Sequence, residues 1–255
     1  MKNKLTEVVL LTKSYNLQDF RDWLQWHLDI VGFDHCHIFD NESIVDIKSI
    51  CDQYKDRVSY ELVKGWPNQY ALYNRYINNE SRAWWVLPID DDEYLWMRDF
   101  SNVDDLILFY QSKWNDISKL SIRWQNMFPV DPSAERGTKS LMEFNTVQNE
   151  KWADLFDGGD KPVKTFVKTD RPTIWNVTYN TTHNPTNGSL SYMCNGDRIS
   201  GNWYFGKGDD AIKILHFQYK SKKEWIVKCN RNIDAGVKER GHYDKKYEKN
   251  WELMK

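Results

Sequence analysis

Four consecutive acidic residues, Asp90, Asp91, Asp92 and Glu93, directly follow an apolar run in the stretch AWWVLPIDDDEYLWM. Like charges at the end of a buried strand repel one another unless a cation neutralises them. Carboxylate oxygens favour a hard divalent ion such as Mg²⁺ or Mn²⁺, which keeps open positions for phosphate oxygens. In an extended segment Asp90 and Asp92 point to the same side, so both could bind one ligand. A solvated acidic loop is the alternative, but the apolar run before the cluster favours a metal site.

Strands and helices alternate in the residues before this cluster. EVVLLT (7–12) predicts a buried strand, and residues 17–32 carry apolar side chains at helical intervals as far as Gly32. DHCHIFDNES predicts a second strand that ends in a turn, and the alternation continues through VDIKSICDQY, RVSYELV, QYALYNRYINNE and AWWVLPI. This order predicts an α/β fold with an open, mostly parallel, doubly wound sheet flanked by helices.

The ends of these strands carry polar residues. Ligands of open α/β sheets bind outside the carboxyl ends of the strands, where Thr12, Asp40 and the Asp90 cluster are all expected to lie. Each residue alone is typical of an ordinary turn. Their convergence at one edge predicts a binding site.

Composition excludes several classes of function. A formal net charge of -2 and a pI of about 6.3 provide no basic field for general nucleic-acid binding. The four cysteines are scattered and form no CxxC pair, which predicts reduced thiols in a cytoplasmic protein. The apolar segment near the start is too short for a signal peptide, and nothing approaches a membrane span, so we expect a soluble protein.

Aromatic residues are abundant, with 13 Trp and 14 Tyr, and such rings can cover the apolar faces of sugars. The tryptophans of the first helix and of the AWWVLPI run are predicted to be core residues. Those in the second half of the chain are better candidates for contact with a sugar, namely Trp124, Trp175, Trp203 and Tyr204.

Five segments, in order, resemble GT-A glycosyltransferases with an Asp-x-Asp-Glu motif: DFRDWLQWHLDIVGFDHCHIFDNES, WVLPIDDDEYL, LSIRWQNMFP, KPVKTFVKT and ILHFQYKSKKEWIVKCNR. The pattern is most similar to domains that large DNA viruses of algae encode to glycosylate their capsid protein. The resemblance implies one GT-A domain over residues 1–255. It places a nucleotide-binding half at about 1–100, an acceptor-side half at about 101–232 and a charged helix at 233–255.

The resemblance also implies roles for individual residues. Asp92 is the expected metal ligand, and Asp90 contacts the ribose or the metal; Asp91 lies in the same nucleotide site. Thr12 and Asp40 match positions that line a uracil pocket. The implied cofactor is Mn²⁺ or Mg²⁺, the donor a UDP-sugar, and the acceptor a glycan or glycoprotein.

Two further residues receive roles from the same resemblance. Arg75 matches a basic residue near the nucleotide. His216 matches a late histidine that completes the metal shell, although a buried core histidine is an equal alternative.

The catalytic base is left open. An inverting transferase needs a carboxylate to deprotonate the acceptor hydroxyl, and Asp209 or Asp210 in FGKGDD could serve, with Asp209 preferred. A retaining enzyme needs no such base. WQNMFP departs from the commoner pattern of the family, which leaves the acceptor side less defined than the donor side.

Other functional classes remain as alternatives. A non-catalytic carbohydrate-binding protein would explain the aromatic residues but not the acidic cluster. A metal-dependent nucleotide-sugar hydrolase would use water as its only acceptor. A nucleotidyltransferase would also use a metal site on an α/β sheet, but LLTKSYNLQDF lacks the Gly-rich basic loop expected near its first strand.

Overall fold

Four strands and three intervening helices alternate along the chain as far as Pro88, as the sequence predicts. A computed structural model describes residues 4–65, 68–131, 133–149, 152, 160–170, 172, 184–185 and 191–227. The first seven elements are β1 (Lys4–Thr12), α1 (Leu17–Gln25), β2 (His35–Asp40), α2 (Lys48–Cys51), β3 (Val58–Leu62), α3 (Gln69–Asn79) and β4 (Ala83–Pro88).

The first four strands form a parallel sheet. Strand β1 lies between β2 and β4, with Thr12 opposite Asp40 on one side and Val9 opposite Pro88 on the other. Strand β3 pairs in parallel with the outer edge of β2. Because these strands run in one direction, their carboxyl ends lie along the same edge.

Both faces of this parallel sheet are buried. Val9, Phe39 and Val86 pack with Tyr76 and Ile77 of α3 in one hydrophobic cluster. Alternate residues of β1 and β2 point to the opposite face and are fully buried as well, namely Val8, Leu10 and Ile38. Burial on both faces explains why these strands are continuous apolar runs.

Helix α1 changes its winding before it ends. It continues as a π-helical turn over Trp26–Ile30, in which the amide of Val31 donates to the carbonyl of Trp26 at 2.8 Å. Gly32 ends the element with a φ of 83°, a conformation that side-chain-bearing residues rarely adopt. The predicted end of the helix at Gly32 is confirmed.

Later elements extend the sheet. They are β5 (Glu93–Met97), α4 (Val103–Lys113), β6 (Lys119–Asn126), α5 (Leu141–Phe144), β7 (Val163–Lys168), β8 (Ser191–Met193), β9 (Arg198–Ile199) and β10 (Ile212–His216). The main strand order is β3-β2-β1-β4-β7-β6-β10-β5. Beyond β4, strand β7 is antiparallel to both of its neighbours. The predicted open α/β sheet is confirmed, and β1–β4 pair with one another only in parallel.

The chain divides into two compact units. The first comprises Met1–Trp124 with Lys161–Ile214, and the second Gln125–Asp160 with Leu215–Lys255. Within the second unit, Phe128 stacks on Tyr219 with ring centroids 5.3 Å apart. The predicted C-terminal helix at 233–255 lies outside the described residues, as does Trp175.

Among the helices of the described ranges, none has both the length and the apolar character required to cross a membrane.

His27 provides a pH-dependent test of this fold. Its Nδ1 lies 2.9 Å from the carbonyl of Trp23, and its Nε2 accepts the amide of Leu95 at 3.3 Å, so the ring is held as the neutral Nδ1–H tautomer. Burial lowers the pKa of His27 to about 3, whereas the unfolded chain takes up this proton near pH 6.5. Burial also lowers the pKa of His37 to about 3. Stability therefore falls as the pH drops below about 6.5, by about 1 kcal/mol per histidine between pH 7 and 5.5.

The comparison that isolates His27 uses the His27→Gln variant. Urea unfolding at pH 7 and 5.5 should show that the variant is less stable at pH 7 but loses about 1 kcal/mol less than the wild type on acidification. An equal loss in both proteins would show that His27 is protonated in the folded state.

Candidate functional site

The carboxyl ends of β1, β2 and β4 meet as the sequence predicts. Thr12 ends β1 and donates its hydroxyl to Oδ2 of Asp91 at 2.6 Å. The carbonyl of Thr12 accepts the amide of Asn41, the residue after the end of β2, at 2.7 Å. Thr12 thus links the ends of two neighbouring strands to the acidic segment.

The acidic segment is a turn rather than an extended strand. The amide of Glu93 donates to the carbonyl of Asp90 at 3.1 Å, which closes the turn between β4 and β5. The predicted extended geometry, with Asp90 and Asp92 pointing to one side, is therefore wrong. A turn separates the carboxylates, and Asp90 and Asp91 have different partners. We call residues 90–93 the acidic turn.

A lysine compensates part of this negative charge. Nζ of Lys164, in β7, lies 2.9 Å from Oδ2 of Asp90 and 3.0 Å from Oε2 of Glu93. The Lys164 side chain is buried. Burial alone would lower the pKa of Lys164, but the carboxylates of Asp90 and Glu93 outweigh that effect and raise it. The ammonium group therefore stays charged within the protein.

Glu93 is the most deeply buried carboxyl group of the turn. Its Oε2 accepts the backbone amide of Asp90 at 2.9 Å as well as the Lys164 ammonium, whereas no hydrogen-bond partner of its Oε1 is found among the described residues. Burial raises the pKa of Glu93 to about 8, despite the opposing effect of Lys164. Glu93 therefore has a structural role, because its buried carboxyl group binds the backbone of the turn and Lys164.

An indole group fixes the backbone of the turn from the other side. Nε1 of Trp23 in α1 donates to the carbonyls of Asp90 at 3.1 Å and Glu93 at 2.9 Å. Nε1 of Trp26, one helical turn later, donates to the carbonyl of Leu95 at 2.8 Å. The prediction that these tryptophans belong to the core is confirmed for Trp23, which is fully buried, but their indole N–H groups also position the site.

Asp92 is the predicted metal ligand of the turn, and this role stays a prediction. Its side chain is buried, with 3% of its surface exposed. The described part of the chain contains no group of three or more His, Cys, Asp or Glu residues arranged to hold a metal. A Mg²⁺-like ion is commonly bound by one or two carboxylates together with substrate phosphates. Asp92 meets that requirement only if the substrate supplies the remaining oxygens.

Asp40 shapes the loop after β2. Its Oδ2 accepts the Tyr60 hydroxyl at 2.6 Å, and its Oδ1 accepts the amide of Ser43 at 2.8 Å. Asp40 thus lies at the predicted edge, where its carboxylate holds the turn in place. Contact with a nucleobase stays a prediction.

Arg75 is already paired with carboxylates. Its guanidinium lies 2.6 Å from Glu61 and 3.2 Å from Glu80, above the ring of Phe39. These contacts place Arg75 along the α3–β3 side of the sheet. Its predicted role at a nucleotide is untested.

His216 belongs to the second unit. It is buried, and its Nδ1 lies 3.1 Å from Oδ1 of Asn126. An amide oxygen only accepts, so Nδ1 carries a proton in this contact. Its predicted part in a metal shell stays a prediction.

Asp209 lies away from the acidic turn. Its Oδ1 accepts the amide of Ala211 at 2.7 Å, and the carbonyl of Ala211 accepts the amide of Arg98 at 2.8 Å. Arg98 follows the far end of β5, about 16 Å along the strand from Glu93. The role of Asp209 as a catalytic base stays a prediction.

The predicted sugar-binding aromatic residues differ in exposure. Trp203 is 38% exposed and forms a backbone bridge with Pro162, just before β7. Tyr204 is buried, and its hydroxyl donates to Asp197, so its ring supports the loop. Trp124 is half-buried, with its ring 5.9 Å from Nζ of Lys164. Phe205, which the sequence analysis did not select, is 77% exposed.

Two functional residues were missed by the sequence analysis, Lys164 and Trp23. Lys164 stands in the buried run VKTFVK, where a charged side chain needs a buried counter-ion. That requirement, together with the acidic cluster at residues 90–93, was a usable signal. Trp23 gave no such signal, since the direction of an indole N–H group depends on tertiary packing.

No protein-family profile and no curated protein sequence matches the chain. Among solved structures, it is similar to residues 1–349 of TarS from S. aureus, at 12% identity over 95% of this chain and 69% of that chain, with a TM-score of 0.44. The same region of TarS in complex with UDP matches over 65% of this chain and 47% of that chain, about half of its length, with 12% identity and a TM-score of 0.39.

A third similar structure is 4-diphosphocytidyl-2C-methyl-D-erythritol synthase from Anaerococcus prevotii, with 12% identity, 65% of this chain, 70% of that chain and a TM-score of 0.36. At such identities the likeness concerns the backbone alone.

Replacing Trp23 tests how the turn is held. Trp23→Phe removes the donor shared by two backbone carbonyls and should lower the free energy of unfolding by about 1–3 kcal/mol. Trp26→Phe, which removes the donor to Leu95, is the matched control. Hydrogen exchange at the Glu93 amide should accelerate in Trp23→Phe and not in Trp26→Phe. Equal exchange in the two variants would show that Trp23 does not fix the turn.

Proposed function

We propose that this protein is a metal-dependent glycosyltransferase that moves a sugar from a UDP-sugar to a glycan or glycoprotein acceptor. The observation that carries the proposal is the acidic turn at the carboxyl edge of the parallel sheet, bonded to the end of β1 through Thr12 and Asp91. A nucleotide lying across this edge would place its diphosphate beside the turn. The family that the sequence resembles suggests uridine as the nucleoside and a viral capsid protein as the acceptor.

The residues of the turn would have different roles in binding the metal and the nucleotide. Asp92 would hold a Mn²⁺ or Mg²⁺ ion through a carboxylate oxygen, and Asp90 would orient the nucleotide or support the metal through water. Transfer of the sugar leaves negative charge on the departing diphosphate, and a bound divalent ion supplies positive charge where it develops. Asp91 and Thr12 would keep the turn at the edge of the sheet.

The acceptor side of the proposal depends on aromatic rings near the same edge. The segment of Trp203 and Tyr204 pairs with residues 161–163, immediately before Lys164: the carbonyl of Lys161 accepts the amide of Tyr204 at 2.8 Å. Trp203 therefore pairs with the segment that leads directly into Lys164, which contacts the acidic turn. A partly exposed Trp beside an exposed Phe205 suits stacking against a sugar ring.

Asp92→Asn tests the donor site directly. Loss of one carboxylate charge should weaken Mn²⁺-dependent UDP binding by about tenfold or more, because the neutral amide is a poor ligand for a hard cation. Calorimetric titration with UDP, GDP and ADP, with Mn²⁺ and then with chelator, provides the measurement. Asp99→Asn, at an exposed residue paired with Arg98, is the control and should bind UDP as the wild type does. If the wild type binds no nucleotide with metal present, the proposed function is wrong.

Thr12 and Thr6 form a matched pair on β1. Each donates its hydroxyl to an aspartate, Thr12 to Asp91 at 2.6 Å and Thr6 to Asp104 at 2.7 Å. Both Thr→Val variants should lose about 1–2 kcal/mol of stability by urea unfolding. Only Thr12→Val should weaken UDP binding, by several-fold, because only its bond positions the acidic turn. Equal affinities in the two variants would separate Thr12 from the site.

A further inference from the structure

Glu42, in the loop after β2, has an unusual backbone conformation. Its φ is 55°, and within the described ranges no other residue except glycine has a positive φ. The left-handed region favours glycine, because the Cβ of any other residue crowds the neighbouring backbone there. Such a conformation persists only where the surrounding structure imposes it, and it occurs most often at ligand-binding and active sites.

The residues on both sides of Glu42 are held by other loops. Nδ2 of Asn41 donates to the carbonyl of Gly65 at 2.7 Å, in the segment after β3. The hydroxyl of Ser43 accepts the amide of Ser14 at 2.8 Å, in the segment after β1. The loop after β2 is thus joined to its neighbours at the carboxyl edge of the sheet, and these bonds keep Glu42 in the left-handed conformation.

The carboxylate of Glu42 is accessible, unlike that of its neighbour Asp40. The Glu42 side chain is exposed, and its Oε2 accepts the amide of Gly65 at 3.1 Å, whereas its Oε1 bonds to no residue of the described part of the chain. Asp40 is buried, and its two oxygens accept the Tyr60 hydroxyl at 2.6 Å and the Ser43 amide at 2.8 Å. Of the two carboxylates at the end of β2, Glu42 is therefore the one that a ligand can reach.

The chemistry of a carboxylate restricts which part of a nucleotide can lie beside Glu42. An ionised carboxylate only accepts hydrogen bonds, and it repels a diphosphate at close range. The chain has the strand order β3-β2-β1-β4, and in doubly wound sheets of this order an acidic residue near the end of the second strand binds a ribose hydroxyl. The ribose is uncharged and offers two neighbouring hydroxyl donors, so it meets both requirements.

We propose that Glu42 is a specificity-determining residue that accepts a hydrogen bond from the ribose 2′-hydroxyl of a bound nucleotide. This inference rests on the proposed nucleotide-dependent function. The left-handed backbone holds the carboxylate at the edge of the sheet before the ligand arrives, which reduces the entropy lost on binding. A purely structural role, in which Glu42 only binds the amide of Gly65, predicts that nucleotide affinity does not depend on the 2′-hydroxyl.

The experiment compares UDP with 2′-deoxy-UDP by calorimetric titration of the full chain, with Mn²⁺ present. The wild type should bind UDP about tenfold more tightly, as expected for one hydrogen bond to a charged acceptor. In Glu42→Gln this preference should fall to about threefold or less, because the amide has one acceptor oxygen in place of two and carries no charge. Asp46→Asn removes the same charge from an exposed residue of the same loop, whose Oδ1 accepts the Ser49 amide at 3.1 Å, and should keep the wild-type preference.

Glu42→Gly provides a second variant, since glycine adopts a φ of 55° without strain. Circular dichroism checks that it is folded, and it should lose the preference for UDP as Glu42→Gln does. Full wild-type preference in both folded Glu42 variants would overturn this proposal alone, as would equal affinity of the wild type for the two nucleotides. If the wild type binds neither nucleotide, the proposed function is wrong and this proposal with it.

Discussion

The burial of two carboxyl groups against one ammonium group is the constraint on which the site depends. Glu93 is inaccessible to water and Asp90 lies beside it, and the buried ammonium of Lys164 contacts both carboxyl groups. Lys164 does so from β7, a strand that pairs with β4 in the antiparallel direction. The departure of the sheet from purely parallel pairing is thus linked to the chemistry at its edge, since it brings the start of β7 next to the end of β4.

The first helix completes the support of the turn. The backbone from Asp90 to Leu95 receives hydrogen bonds from the two indole N–H groups, and the neutral ring of His27 accepts the amide of Leu95. Trp26 and His27 both lie in the π-helical extension of this helix. These hydrogen bonds hold the main chain of the turn. The side chains of the turn therefore differ from one another only through the partners that each one contacts. A π-helical turn at this place fits the general association of such turns with functional regions.

Within the turn, the four acidic residues therefore have different environments. Asp90 is held by Lys164, Asp91 by Thr12 and Glu93 by the backbone amide of Asp90, whereas Asp92 is buried next to them. An acidic run in a sequence looks uniform. In the folded protein its members differ because each faces a different neighbouring element.

The sequence by itself determined the alternation of strands and helices up to Pro88, the end of the first helix at Gly32 and the convergence of Thr12, Asp40 and the acidic residues at one edge. These features follow from local periodicity and from the geometry of parallel strands, which require no knowledge of distant contacts. Tertiary structure alone decided that the acidic segment is a turn, that Lys164 compensates part of its charge and that the indole of Trp23 binds its backbone. It also decided that Asp209 lies away from the turn. Each of these depends on which distant strand or helix lies next to which. Such pairings reflect the packing and charge compensation of the whole chain, and residue type and spacing within one segment do not encode them.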